Sequence, residues 1–256
     1  MYNNLFSIGK ITVHTYGLMI AIGVIVAFEV ATYRAKRKLD SEAIFNLGIA
    51  CFVGGMLGAK VLFCIVELPS ILKDPSLIIS PSGFVVYGGI IGGITAGFLY
   101  TRIKKMSFFD YFDLVMPSIS LAQGFGRIGC FFAGCCYGRE TDSFIGIVFH
   151  NSDFAPNGIK LIPTQLISSL GDFILAFLLM HYAKRDPKSG RVAAMYLILY
   201  AIGRSLIEVL RDDYRGTIGV LSTSQFISMI IVLIGVILFF TAKASKKENT
   251  EEISEL

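Results

Sequence analysis

The chain has 256 residues, of which 54% are hydrophobic and only 16% charged, and its mean hydropathy is +0.67. Soluble domains are about 45–50% apolar and about 25% charged, so these values exclude an ordinary soluble domain and indicate an all-α integral membrane protein. The net charge of +4 does not mark a nucleic-acid binder, and it becomes informative only through its distribution along the chain.

A helix needs about 20 mostly apolar residues to cross a bilayer. Seven stretches meet that length, at roughly 11–33, 43–66, 83–101, 108–130, 163–183, 192–211 and 224–242. The first lacks a small-residue cleavage site and runs into Arg34-Ala35-Lys36-Arg37-Lys38, so it reads as a spanning helix rather than a cleaved signal. Basic residues follow the odd-numbered stretches: the cluster just named, then Arg102, Lys104 and Lys105, then Lys184, Arg185, Lys188 and Arg191, then Lys243, Lys246 and Lys247. That places fourteen on one side against six on the other: Lys10, Lys73, Arg139, Lys160, Arg211 and Arg215. Lysine and arginine gather in cytoplasmic loops, which predicts an outer N-terminus and a cytoplasmic C-terminus. The expected organisation is a single polytopic domain over residues 1–256, with an external arm or short hairpin at 137–162 and a charged, mobile cytoplasmic tail at 243–256. The outer loop at 67–82 carries Pro69, Pro75 and Pro81.

Three basic residues fall inside the apolar stretches: Lys60, Arg127 and Arg204. An ionisable residue at membrane depth is costly and marks a functional site by default. Arg127 opens the run Gly126 to Thr141, GRIGCFFAGCCYGRET, which holds four glycines and three cysteines. Glycine there permits close backbone approach by a ligand or a neighbouring helix. In the sixth stretch Tyr200, Arg204, Glu208 and Arg211 share one helical face. The topology brings Tyr16, Tyr87, Arg127 and Arg204 to similar depth below the outer surface. Two arginines facing one cavity call for an anion between them, and a guanidinium fork suits phosphate oxygens. The physical reading is an outward-facing site for a lipid phosphate.

Structural readings stand beside it. Glu208 can pair with Arg204 one turn before it or with Arg211, Tyr16 and Tyr87 can anchor at the interface, the glycines of YGGIIGG can let helices pack closely, and Lys60 can pair with Glu67 or snorkel outward. Cys130, Cys135 and Cys136 admit three readings: packing residues, a disulfide between Cys130 and one of the other two, or a metal or redox centre. The C-x4-C-C spacing is not a common zinc signature, and no fourth ligand is evident in sequence.

At these residues the chain resembles the prolipoprotein diacylglyceryl transferase family over nearly its whole length. The resemblance is carried by YGLM at 16–19, YGGIIGG at 87–93, Pro117 followed by GRIG at 126–129, Gly138-Arg139, PTQL at 163–166, Tyr200-x3-Arg204-x3-Glu208 and LSTSQ at 221–225. It implies seven spans and an enzyme of the bacterial cytoplasmic membrane. That enzyme moves the diacylglyceryl group of phosphatidylglycerol onto a cysteine thiol of a lipoprotein precursor at the outer leaflet, without cofactor or metal and as a monomer. Carried over residue by residue, it implies Tyr87, Arg127 and Arg204 as catalytic and Tyr16, Gly88, Gly89, Gly138, Arg139, Tyr200 and Glu208 as substrate-binding.

The chain departs from the family pattern where Tyr87 replaces a histidine, where Cys130, Ala133 and Cys135 replace two asparagines and a glutamate, and where Ile162 replaces a histidine before PTQL. Tyr87 either accepts the thiol's proton with help from nearby arginines, or donates a hydrogen bond to the lipid while the thiol ionises to solvent or to the leaving phosphate. A paralogue acting on another acceptor and a non-catalytic phospholipid binder or transporter are the alternatives these departures raise.

Overall fold

A computed structural model describes residues 4–8, 11–36, 39–80, 83–213, 217–218 and 221–242. Lys10, Arg37, Lys38, Pro81, Arg215 and the expected tail from Lys243 lie outside the described residues. Among those described are eight α-helices: α1 (Thr15–Ala35), α2 (Ser41–Val66), α3 (Leu68–Lys73), α4 (Val86–Ile103), α5 (Phe108–Ala133), α6 (Thr164–Ala183), α7 (Arg191–Leu210) and α8 (Thr223–Thr241). Three antiparallel strand pairs join them: β1 (Asn4–Ile8) with β2 (Ile11–His14), β3 (Ile147–Val148) with β4 (Lys160–Leu161), and β5 (Thr217–Ile218) with β6 (Leu221–Ser222).

The long helices fall where the apolar stretches predict them. The exception is the start of the first, where Ile11–His14 is a strand in register Ile8↔Ile11, Ser7↔Thr12 and Phe6↔Val13. Ile11, Thr12 and Val13 are β-branched, and such residues favour extended backbone. Among the described residues, five helical segments are long and apolar enough to cross a membrane: Thr15–Ala35, Glu42–Val66, Thr164–Ala183, Arg191–Leu210 and Thr223–Thr241. The remaining long helices are less apolar for different reasons. Glycines at 88, 89, 92, 93 and 97 dilute α4, whereas α5 carries Asp110, Asp113, Gln123 and Arg127.

The described residues group into two compact units, one comprising Thr32–Tyr111 and the other Met1–Ala31 with Phe112–Leu256. In the first, α2 and α4 pack backbone to backbone. A side chain on Gly88 would collide with the Gly58 carbonyl, and one on Gly92 with the Gly54 carbonyl and, at 2.9 Å, the Gly58 Cα. Small residues at a helix crossing permit this approach, so here the glycines of YGGIIGG serve packing. Lys60 donates to the carbonyls of Ser80 at 2.9 Å and Leu77 at 3.4 Å and lies over the Phe63 and Phe84 rings.

In the second unit, Met116, Leu175, Leu179, Val192, Ala193 and Tyr196 form a core between α5, α6 and α7. Polar bonds lock these helices in register. Ser120 donates to the Asp172 carbonyl at 2.7 Å and Ser169 to the Gly124 carbonyl at 2.9 Å. Asp113 accepts from the backbone amides of Gly190 and Ala193, both at 2.7 Å, so an acid of α5 caps the start of α7. The LSTSQ segment begins α8 as a capping box: Ser222 accepts from the Gln225 amide at 3.1 Å and the Gln225 side chain accepts from the Ser222 amide at 3.2 Å.

Candidate active site

The site lies within the second unit and is built around the outgoing end of α5. Gly129 brings α5 against α1, because a side chain there would meet the Tyr16 ring at 3.1 Å and the Met19 Cβ at 3.3 Å. Two turns along, a side chain on Gly23 would meet the Phe125 Cβ at 2.9 Å. The close contact at Gly129 places Tyr16 beside Arg127 and the three cysteines, all of which act on it electrostatically.

Arg127 faces Tyr200 of α7, Asp172 of α6, Cys130 and Cys136. Among the described residues no carboxylate forms an ion pair with it. Arg204 is different: its Nη1 lies 2.7 Å from Glu208 Oε2, with the two side chains 13% and 9% exposed. Glu208 therefore holds Arg204 in place, as the spacing of four predicts. Tyr200 sits one turn before Arg204 and stacks on Tyr196 at 5.5 Å, and the Tyr196 hydroxyl donates to Gln123 Oε1 at 2.9 Å. Arg127 is thus the open cation of the pair.

After Ala133 the chain turns through Gly134 (φ 76°) and Cys136 (φ 64°), both left-handed. Glycine takes that conformation freely, but a cysteine does so at a cost. The turn folds Cys135 and Cys136 back toward Cys130, and the sulfur atoms of the three residues lie within 4.8 Å of one another. The PTQL segment holds this turn. Thr164 Oγ1 donates to the Cys136 carbonyl at 2.6 Å and Gln165 Nε2 to the Cys135 carbonyl at 2.7 Å. Hydrogen bonds from Cys130 and Cys135 hold the Cys136 thiol well below its ordinary range. Burial opposes this shift, and Arg211 and Arg127 add to it. The Cys135 thiol is pushed up by its hydrogen bonds with Cys130 and Cys136 and by burial.

The chain then runs on between α6 and α7. Gly138 N donates to the Ile162 carbonyl at 3.0 Å, Ile162 N to the Arg139 carbonyl at 3.0 Å, and Arg139 N to the Leu210 carbonyl at 2.9 Å. A side chain on Gly138 would meet the Ile162 and Leu210 carbonyls at 2.7 and 2.8 Å, so this glycine is required by packing. Arg211 is buried and forks onto Asp213, Nε to Oδ1 at 2.8 Å and Nη2 to Oδ2 at 2.6 Å. The segment expected as an arm at 137–162 contains the β3–β4 pair. It also contains a small core of Phe149, Ala155 and Leu161 backed by Phe131 and Tyr137, while Phe144 stands 93% exposed.

A cavity of about 360 Å³ opens beside the cysteines, lined by His14, Tyr16, Gly17, Ala133, Cys135 and Phe154. Of the predicted residues, Tyr16, Arg127, Gly138, Arg139, Tyr200, Arg204 and Glu208 belong to this unit, whereas Tyr87, Gly88 and Gly89 belong to the other. Tyr87 is half exposed at the start of α4. Sequence reasoning missed Asp172, an acid inside an apolar helix whose rarity was itself the signal. It also missed Thr164 and Gln165 as holders of the cysteine turn, because they act through backbone carbonyls far away in sequence.

The comparisons with known proteins agree in kind. A family described as prolipoprotein diacylglyceryl transferase matches residues 3–241. A Clostridium tetani protein named phosphatidylglycerol–prolipoprotein diacylglyceryl transferase is 46% identical over 237 residues, covering 92% of this chain and 95% of that one. Two Clostridium perfringens proteins carry the same name, numbered 2 and 1. The first is 43% identical, covering 94% of this chain and 95% of its own length. The second is 34% identical, covering 95% and 96%.

Proposed function

The chain belongs to the prolipoprotein diacylglyceryl transferase family, and from that premise we propose that it transfers the diacylglyceryl group of phosphatidylglycerol to the cysteine thiol of a lipoprotein precursor. The observation that carries this reading is Arg127: a guanidinium inside a membrane helix, facing Tyr200, two cysteines and Asp172, with no carboxylate at ion-pair distance among the described residues. A phospholipid phosphate supplies the missing anion. The acceptor thiolate attacks the glyceryl carbon, a carbon–sulfur bond forms, and the carbon–oxygen bond to phosphate breaks. The bonding electrons leave with glycerol phosphate, which gains one negative charge. A fixed cation beside that oxygen stabilises the departing anion more than the ground state, and that difference is catalysis.

Arg204, held by Glu208, stands one turn from Tyr200 on the same face of α7 and assists at the phosphate. Tyr200 and Tyr16 flank Arg127 and orient the headgroup. The family motif assigns Tyr87 to the lipid substrate, while Gly88 and Gly89 pack α4 against α2. The basic-residue asymmetry supports seven spans with the N-terminus outside and the tail from Lys243 in the cytoplasm. The site then faces the outer leaflet of the bacterial cytoplasmic membrane, the arm at 137–162 is external, and the protein acts as a monomer.

The test is a reconstituted assay with purified protein, phosphatidylglycerol labelled in its diacylglyceryl part, and a cysteine peptide of lipoprotein-precursor type. Labelled peptide that depends on Arg127 is the expected result. Equal labelling by Arg127→Ala and wild type would sink the assignment, and lipid binding without any labelled peptide or released glycerol phosphate would make the protein a binder.

A further inference from the structure

We infer that Cys130, Cys135 and Cys136 form a zinc site with an open fourth position, and that this position takes the acceptor thiol. The inference rests on the transferase reading above and supplies its missing part, the group that ionises the nucleophile.

The geometry comes first. Three sulfur atoms lie within 4.8 Å of one another. Zinc binds thiolate sulfur at about 2.3 Å in a tetrahedron, which sets sulfur–sulfur edges of about 3.8 Å. The sulfurs therefore need to draw in by about 1 Å at most, which is within reach of side-chain rotation. The backbone is already bent to this end. The left-handed residues Gly134 and Cys136 turn the chain back, and Thr164 and Gln165 pin the carbonyls of Cys136 and Cys135. In metal sites such outer partners orient the ligands.

Donor chemistry selects the metal. An all-sulfur set suits soft or borderline ions, and among them zinc has no redox chemistry of its own. Three thiolates on a divalent ion leave one net negative charge, which Arg127 and Arg211 beside Cys136 offset.

The number of ligands points to catalysis. Structural zinc sites are closed by four protein ligands, while catalytic sites keep three and leave one position open. Among the described residues no fourth histidine, cysteine or carboxylate joins this group. The 360 Å³ cavity reaches Cys135 and is the route by which a fourth ligand enters. His14 lines that cavity but lies outside the sulfur group.

The chemistry then balances. A thiol that coordinates zinc gives its proton to solvent and binds as thiolate. Its sulfur forms the new bond to the glyceryl carbon, the carbon–oxygen bond breaks, and the electron pair leaves on the phosphate held at Arg127. The thioether product is a poor zinc ligand and departs. Zinc neither gains nor loses electrons. Arg127 acts on both Cys130 and Cys136, so the cation that receives the leaving phosphate stands beside the sulfur group that holds the nucleophile.

The experiment uses the full chain purified in detergent under reducing conditions. Elemental analysis is expected to find about one zinc per chain. Cys130→Ser, Cys135→Ser and Cys136→Ser should each lower it at least tenfold, and Cys64→Ser, in the other unit, should not. Folding of each variant is checked by its melting curve. Cobalt replaces zinc as a spectroscopic probe. Its thiolate charge-transfer and visible bands are expected to shift when the cysteine peptide is added, and to stay fixed with the same peptide carrying serine.

Labelled peptide from protein that holds no zinc would overturn the inference and leave the transferase reading intact. A Cys130–Cys135 or Cys130–Cys136 disulfide in active protein would also overturn it. Cobalt bands unmoved by the cysteine peptide would make the metal structural and remove the open position. Bound zinc and a peptide-dependent shift without any transfer would uphold the site and defeat the transferase reading instead.

Discussion

Two glycine-rich stretches in this protein look alike in sequence and behave differently in structure. YGGIIGG at 87–93 places Gly88 and Gly92 against backbone of α2, so close that a Cβ at either would strike a carbonyl oxygen. In GRIGCFFAGCCYG at 126–138, Gly126 has open space around the position of a Cβ, Gly129 admits the Tyr16 ring, Gly134 supplies a left-handed turn and Gly138 threads between two carbonyls. The first stretch glues two helices along a seam. The second brings a cation, an aromatic ring and three sulfurs together. Glycine content alone does not separate the two; the charged and sulfur-bearing neighbours do.

The comparison breaks most sharply at Arg127. Arg127→Ala should cut transfer by about 10²–10³-fold, the loss typical of removing one donor to a developing anion, with the melting curve of the purified protein unchanged. Gly92→Val should do the opposite. It overpacks a backbone seam, at a cost of about 1–3 kcal/mol or more, so the midpoint of thermal unfolding in detergent falls while activity per folded molecule persists. A Gly92→Val protein that melts like wild type would show that the seam yields. Gly138→Ala lies between these cases. It should lose about 1–3 kcal/mol of stability and also transfer, because the segment it displaces carries Cys135 and Cys136. Gly126→Ala is the mildest. Alanine is favoured over glycine inside a helix by about 0.5–1 kcal/mol, so the melting midpoint should rise slightly with transfer unchanged. A large loss of transfer there would mean that the lipid approaches the backbone at Gly126.

Much of this was legible in the sequence. Helix positions follow from apolar length, and Arg127, Arg204 and Glu208 stood out because charge in an apolar stretch is rare. Helical spacing offered Arg204 and Arg211 as partners for Glu208; the structure pairs Glu208 with Arg204 and turns Arg211 to Asp213. Pairings between helices were not legible. Asp172 approaches Arg127 across α5 and α6, and Asp113 caps α7 from α5; neither partner is near the other in sequence. The hairpin of β1 and β2 hid because its second strand, Ile11–His14, runs directly into the apolar stretch of α1. PTQL and LSTSQ looked like site motifs, yet their polar side chains hold a turn and begin a helix.

The segment from Gly134 to Thr141 is fastened to its neighbours almost wholly through main-chain atoms: the carbonyls of Cys135, Cys136 and Arg139, and the amides of Gly138, Arg139 and Thr141. A frame that grips peptide groups is indifferent to what hangs from them. The side chain at 135 can then be exchanged, carboxylate for thiol, while the turn stays pinned by its carbonyl. The feature that keeps this protein in shape is also what lets its chemistry be rewritten one side chain at a time.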